Sequence, residues 1–189
     1  MRLFIAVTID ADVLARVSES IDELRERVAN RAPRARVRWV SADQLHVTVR
    51  FIGEVSETQA TNIATALGPA LPLKRFELTF RGLGVFPERG APRVFWAGIA
   101  AGIEQLAEVE SDVTKRLDTC GISPEGRPYH PHVTLARVKD AGGLRVRGLF
   151  DGIADRTFGM SAVDAITLFQ SRPGSDGSVY VALHSTRLR

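Results

Sequence analysis

Two short segments of this 189-residue chain carry the residues best suited to chemistry: Leu45-His46-Val47-Thr48-Val49-Arg50 and Pro131-His132-Val133-Thr134-Leu135-Ala136-Arg137. Each reads His-Val-Thr followed by an aliphatic residue, in surroundings rich in β-formers. Side chains two apart on a strand share a face, so each segment presents one imidazole and one hydroxyl to the same side. His46 and His132 are 86 residues apart, and so are Thr48 and Thr134. A single His-x-Thr is a common feature of half-exposed strands; the information lies in the duplication.

The pair suits displacement at phosphorus. In-line attack puts nucleophile and leaving group on opposite sides, so an acid and a base must approach from opposite directions. Two related strands facing across a cleft supply that. Histidine, with an ordinary pKa of about 6.5, performs either role near neutral pH. The threonine hydroxyls can donate to the non-bridging oxygens, whose charge must be held in the transition state. Neither a metal nor a cofactor is required. His130 and His132 stand at the i, i+2 spacing of a metal pair, but no carboxylate or cysteine neighbours them, so no metal site is expected. His184 has no partner motif and is expected to be hydrogen-bonded or solvent-facing.

Composition sets the outer bounds. Hydrophobic residues make up 44% and charged residues 25%, a globular balance. Asp10 and Asp12 interrupt the apolar opening long before a membrane span is complete, and no small-residue cleavage site follows it, so neither a span nor a signal peptide is expected. The lone Cys120 cannot form an internal disulfide, which fits a reducing, cytoplasmic setting. The formal charge is only +3, but just three of the 25 basic residues are lysines, Lys74, Lys115 and Lys139. Arginine binds phosphate bidentately and stacks on bases, which suits a nucleic-acid substrate without identifying one.

The elements that must position the pair follow from periodicity. Arg2–Ile9, Arg36–Val40, Leu45–Ile52, Phe76–Phe80, Val94–Ile99 and His132–Val138 read as strands. Val13, Leu14, Val17, Ile21, Leu24 and Val28 repeat at helical spacing behind Asp10 or Asp12 as a cap. A second helix starts at Ser56 and stops at Gly68-Pro69, and a third carries Ile103, Leu106, Val109, Val113 and Leu117. Ser123 to Tyr129 is a loop, and Ala141–Asp155 a weak helix. Val163–Gln170 and Val179–Leu188 form a closing hairpin around Pro173-Gly174-Ser175-Asp176-Gly177. Helices separated by paired strands, with no linker between them, predict an α+β fold with largely antiparallel sheets.

The two motifs and their flanks resemble the 2H phosphoesterase superfamily, named for two His-x-Thr/Ser motifs. Within it the chain is similar to the RNA 2′,3′-cyclic phosphodiesterase family, also called 2′-5′ RNA ligase. The likeness runs through Met1-Arg2-Leu3-Phe4-Ile5-Ala6-Val7, Arg38-Trp39-Val40, Leu45 to Glu54, Pro131 to Arg137 and Gly177-Ser178-Val179-Tyr180, nearly the whole chain. It implies a bilobal α+β fold, with two pseudo-symmetric lobes of mostly antiparallel sheet and flanking helices around a central cleft, residues 1–189 forming one domain. It implies His46 and His132 as catalytic residues, with Thr48 and Thr134 gripping phosphate. It implies an RNA partner with a 2′,3′-cyclic phosphate end, opened by water to a 2′-phosphate; a 5′-hydroxyl in place of water would give a 2′-5′ linkage. We assign His46 as the acid protonating O3′ and His132 as the base, although the same groups could serve in reverse.

The resemblance makes Arg137 a phosphate contact, yet it lies three residues after Thr134, so a regular strand would turn it away; a bend or the end of the strand is needed there. Arg50 reads as a solvated strand residue. Arg127 and Tyr129, in the loop before the second motif, are candidates to grip the terminal nucleotide or stack on its base. A cleft complete within one chain predicts a monomer. The alternatives are a relative acting on a small nucleotide or ADP-ribose cyclic phosphate, and a non-catalytic RNA-end-binding module. The second is disfavoured because binding alone would not require both imidazoles.

Overall fold

Leu3 to Val7 are all buried, and they form the body of strand β1 (Arg2–Val7) in the computed structural model, which describes residues 1–174 and 177–189. Helix α1 (Ala11–Arg31), β2 (Arg36–Trp39), a 3-10 turn (Ala42–Gln44), β3 (Val47–Glu54) and α2 (Glu57–Leu67) come next. The chain continues through β4 (Phe76–Phe86), β5 (Val94–Ala101), α3 (Ile103–Asp118), β6 (Val133–Asp140), β7 (Thr157–Val163), β8 (Ala165–Gly174) and β9 (Gly177–Arg187). The fold is α+β, as expected. Ser175 and Asp176, at the centre of the expected closing turn, lie outside the described residues.

The strands join in the order β7-β4-β5-β6-β3-β1-β8-β9, and β2 pairs with β6. Every pairing between these strands is antiparallel. The middle of the sheet is its thinnest point: β3 and β6 meet only at Val47 and Val133. Past that pair they part, and β2 takes the edge of β6 that β3 has left. The parting makes two halves with one plan. β1 and β3 neighbour each other with α1 between them in sequence, and β5 and β6 do the same with α3. β8 and β9 extend the first half outward, as β4 and β7 extend the second.

Two of the helices, α1 and α3, cross between halves. α1 buries Val13, Val17, Ile21, Leu24 and Val28, the stripe its spacing predicts. It comes after β1 but packs on β7 of the other half. α3 comes after β5 yet packs on β3 and α2, burying Leu106, Val109, Val113 and Leu117. α2 is fixed at its start by a capping box: Gln59 N donates to Ser56 Oγ and Ser56 N donates to the Gln59 side-chain oxygen, both at 3.1 Å. Asp10 precedes α1 but does not cap it with its side chain; its carboxylate accepts from Ala162 N at 3.1 Å instead.

Three segments differ from expectation. Ala141–Asp155 forms turns, not a helix, because Gly142, Gly143, Gly148 and Gly152 all adopt positive φ, between 53° and 86°. Leu144, Leu149 and Ile153 nonetheless anchor it in the core. β4 continues past Phe80 to Phe86, with register shifts around Gly82. Val163 ends β7, an extra strand, rather than opening β8; Asp164 separates the two. Among the described residues, no helix is long and apolar enough to cross a membrane.

Candidate active site

Both motifs are built the same way. Each histidine stands one residue ahead of its strand, which starts at Val47 or Val133. Each strand then bulges by one residue. Thr48 pairs with Ala6 and Arg50 with Ile5, leaving Val49 extra; Thr134 pairs with Trp96 and Ala136 with Phe95, leaving Leu135 extra. Consecutive buried pairs result, Val49-Arg50 and Leu135-Ala136. A bulge re-aims the side chains beyond it, so Thr134 and Arg137 emerge on one face despite their odd spacing. This supplies the bend that Arg137 needed.

The backbone sets the proton position on each ring. His46 Nδ1 lies 2.7 Å from the Gln44 carbonyl oxygen, and His132 Nδ1 lies 2.7 Å from that of His130. A carbonyl only accepts, so Nδ1 carries the hydrogen in both rings and Nε2 is left for chemistry. His46 Nε2 is 3.1 Å from Thr48 Oγ1. Aromatic rings hold the imidazoles in place: Phe4 at 4.9 Å and Tyr180 at 5.3 Å from His46, and Phe86 at 5.3 Å from His132, measured between centroids. Phe86 in turn rests on Trp96 at 5.3 Å, and Trp96 lies so close over Gly84 that a β-carbon there would collide with the indole.

A cavity of about 530 Å³ opens in the cleft, and His46, Thr48, Phe51, Thr134, Arg137 and Tyr180 are among the residues lining it. His132 stands outside that lining, beside Phe86. Phe51 occupies in the first motif the place that Arg137 holds in the second. It is a large hydrophobic side chain left 50% exposed, with Phe4 behind it at 6.4 Å. Sequence reasoning did not single it out, because the bulge at Val49 determines which way it faces.

Burial holds both histidines below the ordinary imidazole range. The bonds to Gln44 and His130 oppose that, while the Arg137 guanidinium disfavours the charged form of both rings. His132 adds to the depression at His46, and His130 to that at His132. Among the described residues, Arg137 makes no ion pair, so its charge is available to a ligand.

The remaining candidates have other surroundings. Arg50 is not solvated: it is 3% exposed, with its guanidinium 3.6 Å from Glu110 and 3.9 Å from Glu125, and it donates to the Ser123 carbonyl at 2.5 Å. The bulge turned it inward, where it ties β3 to α3 and to the loop before the second motif. Tyr129 is half-buried and donates its hydroxyl to the Thr48 carbonyl at 2.9 Å, joining that loop to the first motif. Arg127 is exposed on the same loop. Neither Tyr129 nor Arg127 lines the cavity. His130 is exposed, and among the described residues no three His, Cys, Asp or Glu side chains cluster as metal ligands. His184 departs from expectation, since its Nε2 is buried without a hydrogen-bond partner among the described residues.

Comparison with known proteins matches the family described as LigT like phosphoesterase to residues 13–96 and 98–180, two stretches that each contain one motif. An RNA 2′,3′-cyclic phosphodiesterase of Aeropyrum pernix is 38% identical over 152 residues, covering 80% of this chain and 86% of the relative. One of Aquifex aeolicus is 30% identical, covering 88% and 90%. Among solved structures, TT0787 of Thermus thermophilus superposes with a TM-score of 0.78 at 27% identity, covering 100% of this chain and 98% of that one.

Proposed function

Because the chain belongs to the LigT-like phosphoesterase family, we propose that it hydrolyses RNA 2′,3′-cyclic phosphate ends to 2′-phosphates by two-histidine acid–base catalysis, as a cytoplasmic monomer with residues 1–189 acting as one bilobal unit. The names of its relatives support the substrate. One observation supports the mechanism above others: both imidazoles have Nδ1–H fixed on a backbone carbonyl, so both offer Nε2 to a reacting oxygen.

In this reading the cyclic phosphate sits among Thr48, Thr134 and Arg137, which hold its non-bridging oxygens. His132 Nε2 takes a proton from water as the water oxygen bonds to phosphorus. The P–O3′ bond breaks, and the leaving O3′ takes the proton that His46 carries on Nε2. Phosphorus keeps its bond to O2′. With a 5′-hydroxyl as nucleophile the same steps form a 2′-5′ linkage, and run backwards they cleave one. Exposed Phe51 on the wall of the cavity offers a face for the terminal base. Tyr129 acts as a positioning residue for Thr48, and Arg127, exposed on the same loop, is the residue this reading assigns to grip the terminal nucleotide.

The test is incubation with 2′,3′-cyclic nucleotides, and with a short RNA bearing a cyclic end, in the presence of a chelator. Phosphorus NMR identifies the product. The reading expects a 2′-phosphate. A predominantly 3′-phosphate product would mean that the sugar lies the other way round and would overturn the assignment of His46 to O3′.

A further inference from the structure

The cleft does not end at the two motifs. A second, open cavity of about 600 Å³ adjoins the first and shares Arg2, Arg38, Ser171 and Ser178 with it. Arg38 pairs with Arg137 across β2 and β6, so the two guanidinium groups start from one face. Its far end lies against Gly177 at the start of β9, so closely that a side chain there would meet it. Arg2 opens β1 and is paired with Ser171 on β8. Gln44 Nε2 donates to the Ser178 carbonyl at 2.5 Å, so β9 is held to the turn that precedes His46. The floor under these arginines is therefore built from β1, β2, β8 and β9 together.

The charge of this trough is one-sided. Among the described residues, Arg2, Arg38, Arg137 and Lys139 line the joined cavities against a single carboxylate, Glu54, and Glu54 lies 3.6 Å from the amino group of Met1. Arg2 and Arg38 are exposed. Among the described residues, neither makes an ion pair. Like charges lined up without counter-charges repel one another, and an anion between them relieves that repulsion. A polyanion whose last phosphate lies at Arg137 would carry its preceding phosphates along this line.

We propose that the Arg2–Arg38 trough binds the phosphodiester groups upstream of the cyclic end, and so makes the enzyme prefer a polynucleotide end to a free cyclic nucleotide. The inference rests on the reading of the cleft given above. It adds a subsite that the acid–base chemistry does not need, one that recognises backbone rather than sequence.

The experiment compares wild type with Arg2→Gln, Arg38→Gln and the double variant, with Arg38→Lys as a charge-retaining control. The probes are a 5′-labelled single-stranded hexanucleotide RNA followed by fluorescence anisotropy, and kcat/KM on a 2′,3′-cyclic mononucleotide and on a cyclic-ended hexanucleotide. Each Arg→Gln change is expected to weaken hexanucleotide binding by about tenfold and to flatten the slope of log affinity against log salt by about 0.7. Arg38→Lys should retain most of the affinity. Mononucleotide kcat/KM should stay within about twofold of wild type, while hexanucleotide kcat/KM falls in step with binding. Unchanged hexanucleotide binding in the double variant would overturn the proposal, and so would equal losses on both substrates. If the wild type opened neither cyclic substrate but binding still fell as described, the catalytic reading would fail and the phosphate trough would stand.

Discussion

The Nδ1–H···O=C bonds at His46 and His132 fix which nitrogen can react and leave open which ring is charged. Replacing either histidine with Ala should lower turnover by about 10²–10⁴-fold, and the double variant should fall short of the product because both act in one step. Near-native turnover in a folded single variant would remove that residue from the mechanism. Both rings titrate below the ordinary imidazole value. The proposed mechanism needs one neutral and one protonated ring, so the bell-shaped profile should lie on the acid side of what free imidazoles would give. Arg137→Gln removes a positive charge that disfavours both imidazolium forms, so both limbs should move to higher pH while KM rises. A profile that stayed in place would deny Arg137 its electrostatic part. His46, Thr48, His132 and Thr134 were legible in the sequence because each motif lies within one turn of the strand repeat. Phe51 and the inward turn of Arg50 were not, because each results from a one-residue bulge that composition does not mark.

Those bulges are where element-scale structure sets the chemistry. In β6 the extra Leu135 returns Arg137 to the cleft; in β3 the extra Val49 sends Arg50 into the protein, toward Glu110. Removing one partner of a buried ion pair leaves the other uncompensated, so Arg50→Ala should cost about 3 kcal/mol in urea unfolding. Arg50→Lys should recover only part of that, since a point charge cannot reproduce the guanidinium fork toward Glu110 and the Ser123 carbonyl. A loss within about 0.5 kcal/mol would place Arg50 with ordinary surface residues. Gly84→Ala pushes a methyl into the Trp96 ring and should destabilise by about 1–3 kcal/mol, measurable as a lower Tm. Helices α1, α2 and α3 were readable from their apolar spacing and the Ser56 cap. The turns over 141–155 were not, since their buried Leu144, Leu149 and Ile153 imitate a helical stripe that four left-handed glycines forbid.

At the scale of the whole molecule, two matching halves face one another across a seam at which β3 and β6 share a single residue pair. Their matching places an imidazole and a hydroxyl on each side; their difference, Phe51 opposite Arg137, gives the cleft a direction. If the chemistry belongs to the side chains alone, turnover in excess EDTA should equal that in buffer; loss on chelation, restored by a divalent cation, would make His130 and His132 ligands. The halves themselves were foreshadowed by the duplicated motif and by the family resemblance it carries. The exchange of helices between them was not, because nothing in an amphipathic stripe says which sheet it covers. That interlacing also bears on the order in which the chain can be assembled. β1 leaves the ribosome ahead of the other strands, yet one of its edges is completed only by β8, which emerges after residue 164, and α1 finds its seat only when β7 exists. Through most of synthesis the first strand presents an open edge, so a product truncated at residue 163 should aggregate rather than leave the N-terminal half folded.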